Sequence, residues 1–88
     1  MLYNPEILST LINYYAKSSS DLVRFIVLQQ PQIIPELLQE KSCSTNWLER
    51  FAVAKNPQTS LSMLNKLAED SNQIIRATAK FIINNVKF

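Results

Sequence analysis

Apolar positions recur along this chain in short clusters at helical spacing, and the clusters themselves repeat. Residues 22–27 read LVRFIV, residues 48–53 read LERFAV and residues 74–79 read IIRATA, so the clusters follow one another with a constant period of 26 residues. Prolines keep the same period, at Pro5, Pro31 and Pro57. Self-similarity at a fixed period is the sequence signature of a repeat protein. We therefore divide the chain into repeats at residues 4–29, 30–55 and 56–81, followed by a C-terminal tail at residues 82–88.

Each repeat is predicted to contain two short helices. Pro57 ends a helix, because the residue before a proline is driven out of the helical conformation, and Thr59 or Ser60 can cap the next one. In the second repeat, Asn46 and Glu49 have the spacing of a capping box, in which each side chain binds the other residue's backbone N–H. The expected fold is all-α: a single domain over residues 1–88, built as a short right-handed α-solenoid of three two-helix repeats.

The density of apolar residues also predicts which helices are buried. Residues 25–28 read FIVL, so the helix over residues 21–29 is expected to lie deepest in the fold. The last helix has two apolar stripes, and we expect both to be buried because apolar side chains on two sides need two partners. The first stripe comprises Ile74, Ala77, Thr78 and Phe81, and the second comprises Ile75, Ala79, Ile82 and Val86.

The composition argues against several kinds of chemistry. The chain has no Gly, whose backbone freedom phosphate-binding loops use, and no His, the commonest general base and zinc ligand. The single Cys43 cannot form an intramolecular disulfide, and no nucleophile, base and orienting group can be assigned together. We expect no enzymatic activity, no cofactor and no metal ion.

The chain is expected to be cytoplasmic, without membrane association. No stretch approaches the roughly 20 apolar residues that span a bilayer. Residues 1–6 lack the positive region of a secretory signal peptide, and a single cysteine gives no sign of an oxidising compartment.

Residues 50–60, which read RFAVAKNPQTS, carry a resemblance to a known family, together with Leu64, Leu67, Ala68, Asp70, Ile75 and Arg76. They resemble the unit of the leucine-rich repeat variant family, an α-solenoid. Departures from the family pattern are Gln30, Lys41 and Ser60. The resemblance implies a concave, adaptable binding surface and no particular ligand. Some family members carry an iron–sulfur cluster, which needs several cysteines that one Cys43 cannot supply.

Six residues are candidates for partner binding: Arg24, Arg50, Arg76, Trp47, Lys55 and Lys80. The three arginines keep the period of the repeat and so form a column along the stack. They could present guanidinium groups to a partner, or they could form an internal ladder in which each arginine is bonded to helix-end carbonyls or to an acid of the neighbouring repeat. Trp47, at a helix start, is a hot-spot candidate if it is half-exposed, or it packs across the turn between the helices. Tyr3, Tyr14 and Tyr15 could anchor a partner or cover the first end of the stack.

The function favoured by this pattern is a protein-interaction or assembly module. A homodimer through the C-terminal helix is a further expectation, since that helix carries Phe81, Ile82, Ile83, Val86 and Phe88.

The alternative function is binding to a nucleic-acid backbone. Residues 1–49 have three basic and five acidic side chains, whereas residues 50–88 have six basic and two acidic ones. The C-terminal half is therefore basic, through residues that include Arg50, Lys55, Arg76 and Lys80. We rank this alternative second, because aromatic residues that could stack on bases are sparse in that half.

Overall fold

The computed structural model describes residues 5–85 of the chain, and this part contains six helices and no strand. The helices are α1 (Pro5–Tyr15), α2 (Asp21–Val27), α3 (Pro35–Lys41), α4 (Trp47–Lys55), α5 (Leu61–Leu67) and α6 (Gln73–Asn85). The expected all-α class is confirmed. None of these helices combines the length and the apolarity that crossing a membrane requires.

Several helix bounds recur at the 26-residue period of the sequence. The starts of α2, α4 and α6, at Asp21, Trp47 and Gln73, are evenly spaced by one period. The same spacing separates α3 from α5 at both ends. Two helices begin within each of the ranges 4–29, 30–55 and 56–81, and α6 continues past residue 81 to Asn85.

The helix starts are capped by short polar side chains. The Asn46 side chain accepts a hydrogen bond from Leu48 N at 3.0 Å, which confirms its predicted role. Ser60 Oγ accepts from Met63 N at 3.2 Å, so Ser60 caps α5. Thr59 instead donates its hydroxyl to Val53 O at 2.5 Å, at the end of the preceding helix.

The deepest helix is α4, and the expectation that α2 lies deepest is wrong. Ala52, Val53 and Ala54 in α4 are completely buried, because α4 contacts α2, α3, α5 and α6. No residue of α2 is buried, and in the predicted helix over residues 21–29 only Leu28, which follows α2, is completely buried. The side chain of Ile26 is 51% exposed, because within the described residues α2 packs mainly against α1 and α4.

The C-terminal helix α6 is buried on one side only, which corrects the expectation of two buried stripes. Ile75 and Ala79 are completely buried against α4 and α5. Ile74 is 53% exposed and Phe81 is 68% exposed. The first stripe therefore faces outward, and Val86 of the second lies outside the described residues.

Asn56 links two consecutive units through its buried side-chain amide. Its Nδ2 donates to Leu28 O at 2.6 Å and to Gln30 O at 2.9 Å, while its Oδ1 accepts from Gln58 N at 2.8 Å. Gln30, one period earlier, directs its own amide to Ile26 O in the preceding helix. Gln30 and Asn56 are the described amide residues that precede a proline. Of these two, Asn56 alone joins the end of α2 to the end of α4.

Candidate partner-binding surface

The arginine column makes the same backbone contact three times. In each case Nη1 donates to the carbonyl oxygen six residues earlier, in the turn before the helix. The distances are 2.6 Å for Arg50 and 2.8 Å for Arg76. The three acceptors are Ser18, Ser44 and Asp70. The repeated geometry follows from the common position of the arginines in the first turn of α2, α4 and α6.

Two of the three arginines also bind acids. Arg24 pairs with Asp21 and lies 3.7 Å from Glu49, measured from Nε to Oε2. Arg50 binds Asp70 at two points, with 2.8 Å from Nε to Oδ2 and 3.2 Å from Nη2 to Oδ1. Arg76 has no carboxylate within ion-pair distance among residues 5–85. All three arginines thus make contacts that the internal-ladder alternative describes, and Arg76 makes them through carbonyl oxygens alone, those of Asp70 and Ser71.

Glu49 lies at the centre of the first of these networks and is only 6% exposed. Its carboxylate is 3.1 Å from Lys41 Nζ, 3.3 Å from Ser44 Oγ and 3.7 Å from Arg24 Nε. It does not complete the predicted capping box, because Asn46 N donates to Ser44 Oγ instead, at 3.1 Å. The side chain is drawn toward two cations rather than toward its own helix start.

Asp70 is the acid of the second network. Burial would raise its pKa, but hydrogen bonds from Arg50 and from Asn72 N, with the charges of Arg50 and Arg76, outweigh burial and hold the pKa below its usual range. Asp70 is therefore ionised near neutral pH and is fully engaged by its neighbours.

An aromatic cluster lies where α2 and α4 meet. The ring centroids of Phe25 and Phe51 are 5.7 Å apart, and those of Trp47 and Phe51 are 6.1 Å apart in a stacked arrangement. Lys55 Nζ sits 5.5 Å from the Phe51 centroid, within the range of a cation–π contact. Trp47 is 40% exposed, which meets the condition set for a hot-spot candidate. Phe25 and Phe51 are absent from the six sequence candidates, although their shared position in the repeat is a signal that could have found them.

The outward stripes of α2, α4 and α6 form what we call the aromatic face. Trp47, Phe51 and Lys55 are spaced by four residues on α4, on the side away from the buried Val53. On α6, Ile74 and Phe81 lie away from the buried Ile75 and Ala79. Helix α4 contacts both α2 and α6, and the rings of Phe25 and Phe51 lie 5.7 Å apart across the first of these contacts. The apolar members of the face are Leu22, Phe25, Trp47, Phe51, Ile74 and Phe81.

The tyrosines lie apart from this face, on α1. Tyr14 and Tyr15 make an edge-to-face contact with ring centroids 5.2 Å apart, and both are exposed. They line an open cleft of about 640 Å³ together with Asn13 and Lys17. Tyr3, like Lys87 and Phe88 at the other end, lies outside the described residues.

Cys43 has a basic neighbour that sequence reasoning missed. Lys66 Nζ donates to Cys43 Sγ at 2.7 Å, and Ser42 Oγ is 3.8 Å away. These hydrogen bonds, that from Lys66 first, lower the pKa of the exposed thiol. The two residues are far apart in the sequence, so only the packing of the helices reveals the contact.

Residues 5–85 contain no group of three or more side chains placed to hold a metal ion. Comparison with known proteins finds no matching family model, no matching curated sequence and no matching solved structure.

Proposed function

We propose that this chain is a non-catalytic protein-interaction module, located in the cytoplasm. In this proposal the six helices form a short right-handed α-solenoid of three two-helix repeats of the leucine-rich repeat variant kind. The helix starts at a fixed spacing and the recurring arginine–carbonyl contacts support the repeat architecture.

The aromatic face carries the proposal. Tryptophan and other large side chains that are part-exposed on a rigid support are the residues that most often dominate binding energy at protein interfaces. Trp47 is held by stacking on Phe51, which in turn contacts Phe25, so its exposed part is presented in one orientation. A rigid anchor loses little conformational entropy when it binds a partner.

The test is affinity capture from the host lysate with the wild-type chain and two variants. Trp47→Ala removes the anchor, and Tyr14→Ala removes an exposed aromatic ring from α1 as the matched control. We expect captured proteins that persist after nuclease treatment, are lost with Trp47→Ala and are retained with Tyr14→Ala. Equal capture by both variants would contradict a role for the aromatic face.

The alternative, a nucleic-acid backbone as ligand, has one observation in its favour. Lys55 and Lys80 are exposed, and neither forms an ion pair within the described residues. The same experiment separates the two functions, because phosphate contacts are lost by about 0.3 M salt and capture would then disappear with nuclease.

Self-association through the C-terminal helix is an additional proposal, supported by the exposure of Phe81. We expect light scattering after size exclusion to give a dimer for the wild-type chain and a monomer for Phe81→Glu. A monomeric wild-type chain at about 0.1 mM would rule out a stable dimer, since its dissociation constant would have to exceed that concentration.

A further inference from the structure

We infer that the aromatic face recognises a partner segment that is both apolar and acidic, and that this segment lies across α4 and α6. The inference rests on the proposed interaction function and adds the chemistry of the partner. It comes from the combination of exposed apolar side chains and uncompensated positive charge on these two helices.

Two cations on α4 and α6 have no counter-charge within the described residues. Lys55 and Lys80 form no ion pair there, whereas Arg24, Arg50 and Lys41 each do, and the charge of Arg76 acts on Asp70. Only two acids occur in residues 50–88, and Asp70 is already engaged by Arg50. The other, Glu69, follows α5 and pairs with none of these cations. A carboxylate-bearing partner would supply the missing charge.

The positions of these cations bring them beside the apolar part of the face. Lys55 is in the same stripe of α4 as Trp47 and Phe51, and its ammonium lies over the Phe51 ring. Lys80 adjoins Phe81 on α6 and is exposed. Arg76 lies one turn before Lys80, but its guanidinium is turned back to the carbonyl oxygens of Asp70 and Ser71, so Lys55 and Lys80 are the cations that a partner would meet.

The apolar side chains of the face favour a protein segment over a nucleic acid. A base would need an open ring face for stacking. Lys55 covers one face of Phe51, and Trp47 is stacked on the same ring. The exposed Ile74 and Phe81 offer apolar contact area that leucine or phenylalanine side chains match and a phosphate backbone does not. The combination fits a peptide with alternating apolar and acidic residues.

The probe is a phage-displayed library of random 16-residue peptides selected on the immobilised full chain. We expect the enriched peptides to combine Asp or Glu with Leu, Phe or Trp. One enriched peptide, made synthetically with a fluorescent label, then serves for affinity measurement by polarisation.

Two charge-reversed chains make the measurement specific. Lys55→Glu with Lys80→Glu reverses the charges on the aromatic face, and Lys17→Glu with Lys66→Glu makes the same change in net charge on other exposed sites. We expect the first pair to weaken the peptide about tenfold or more and the second pair to leave affinity within about twofold. Circular dichroism checks that both chains remain helical.

The outcomes separate this inference from the proposed function. Peptides that lack acids, or that bind both charge-reversed chains equally, overturn the inference and leave an interaction module in place. If no peptide is enriched and a labelled 20-nucleotide poly-uridine binds tightly, both the inference and the proposed interaction function are overturned.

Discussion

Arg50 and Asp70 form a two-point ion pair between the first turn of α4 and the turn that follows α5. The Nε–Oδ2 distance is 2.8 Å and the Nη2–Oδ1 distance is 3.2 Å. The same guanidinium also donates Nη1 to Ser44 O, so one side chain ties together three parts of the chain. Such planar, multiple contacts are made by arginine and cannot be reproduced by lysine.

Arg50→Lys is therefore expected to destabilise the fold by about 1–3 kcal/mol, because it loses the fork-like contact and leaves partners unsatisfied. Urea unfolding followed by circular dichroism measures the change. Arg76→Lys is the control, since Arg76 makes the carbonyl contact without a carboxylate partner within the described residues. Equal losses for the two variants would show that the ion pair adds nothing.

The lowered pKa of Asp70 predicts a component of acid sensitivity. A carboxyl whose pKa is lower in the folded than in the unfolded state stabilises the fold above the unfolded value of about 3.9. That contribution is lost as the pH falls from about 4 through the folded pKa. We expect the fall in unfolding free energy below about pH 4 to be shallower in Asp70→Asn than in the wild-type chain, while Glu69→Gln at an exposed site changes little. A parallel fall in all three proteins would refute this role.

Glu49→Gln is expected to cost about 3 kcal/mol, because it leaves Lys41 without its carboxylate and Arg24 with only one. Adding Lys41→Met to this variant removes one of the uncompensated charges and should recover part of the loss. The two variants are compared by chemical unfolding at neutral pH. No recovery in the double variant would mean that hydrogen bonding to Ser44, rather than charge, sets the cost.

Asn56→Ala is expected to destabilise the fold by about 2 kcal/mol, because the carbonyl oxygen of Leu28 loses its donor in a buried setting. Asn65→Ala, at an exposed position of α5, should stay within about 0.5 kcal/mol of the wild type. Unfolding midpoints give both values. Similar small effects at the two sites would show that the link between the units is dispensable.

Lys66→Met is expected to raise the pKa of Cys43, because it removes the ammonium that donates to Sγ. The rate of alkylation by iodoacetamide is measured as a function of pH, and the midpoint of its rise should shift to higher pH in the variant. Lys17→Met provides a control with the same loss of charge. An unchanged profile would show that the thiol is not held against Lys66 in solution.

Much of the local structure can be predicted from the sequence. The short helices are predictable from apolar spacing, and Asn46 and Ser60 are recognisable as caps, because caps and prolines act through the backbone of their immediate neighbours. The start of α4 at Trp47 is likewise predictable from its cap. These features depend on a few consecutive residues, so they can be read without knowing what the helices touch.

The burial of whole helices and the long-range contacts were decided only by the tertiary structure. Residues 25–28 are as apolar as a core segment, yet only Leu28 is completely buried, because neighbouring helices surround α4 and leave one flank of α2 open at Ile26. The outward stripe of α6, the pairing of Arg50 with Asp70 and the contact of Lys66 with Cys43 arise in the same way. Periodicity shows which side chains share a side of a helix, but burial and pairing depend on which helices approach that side, and this is set by packing between distant segments.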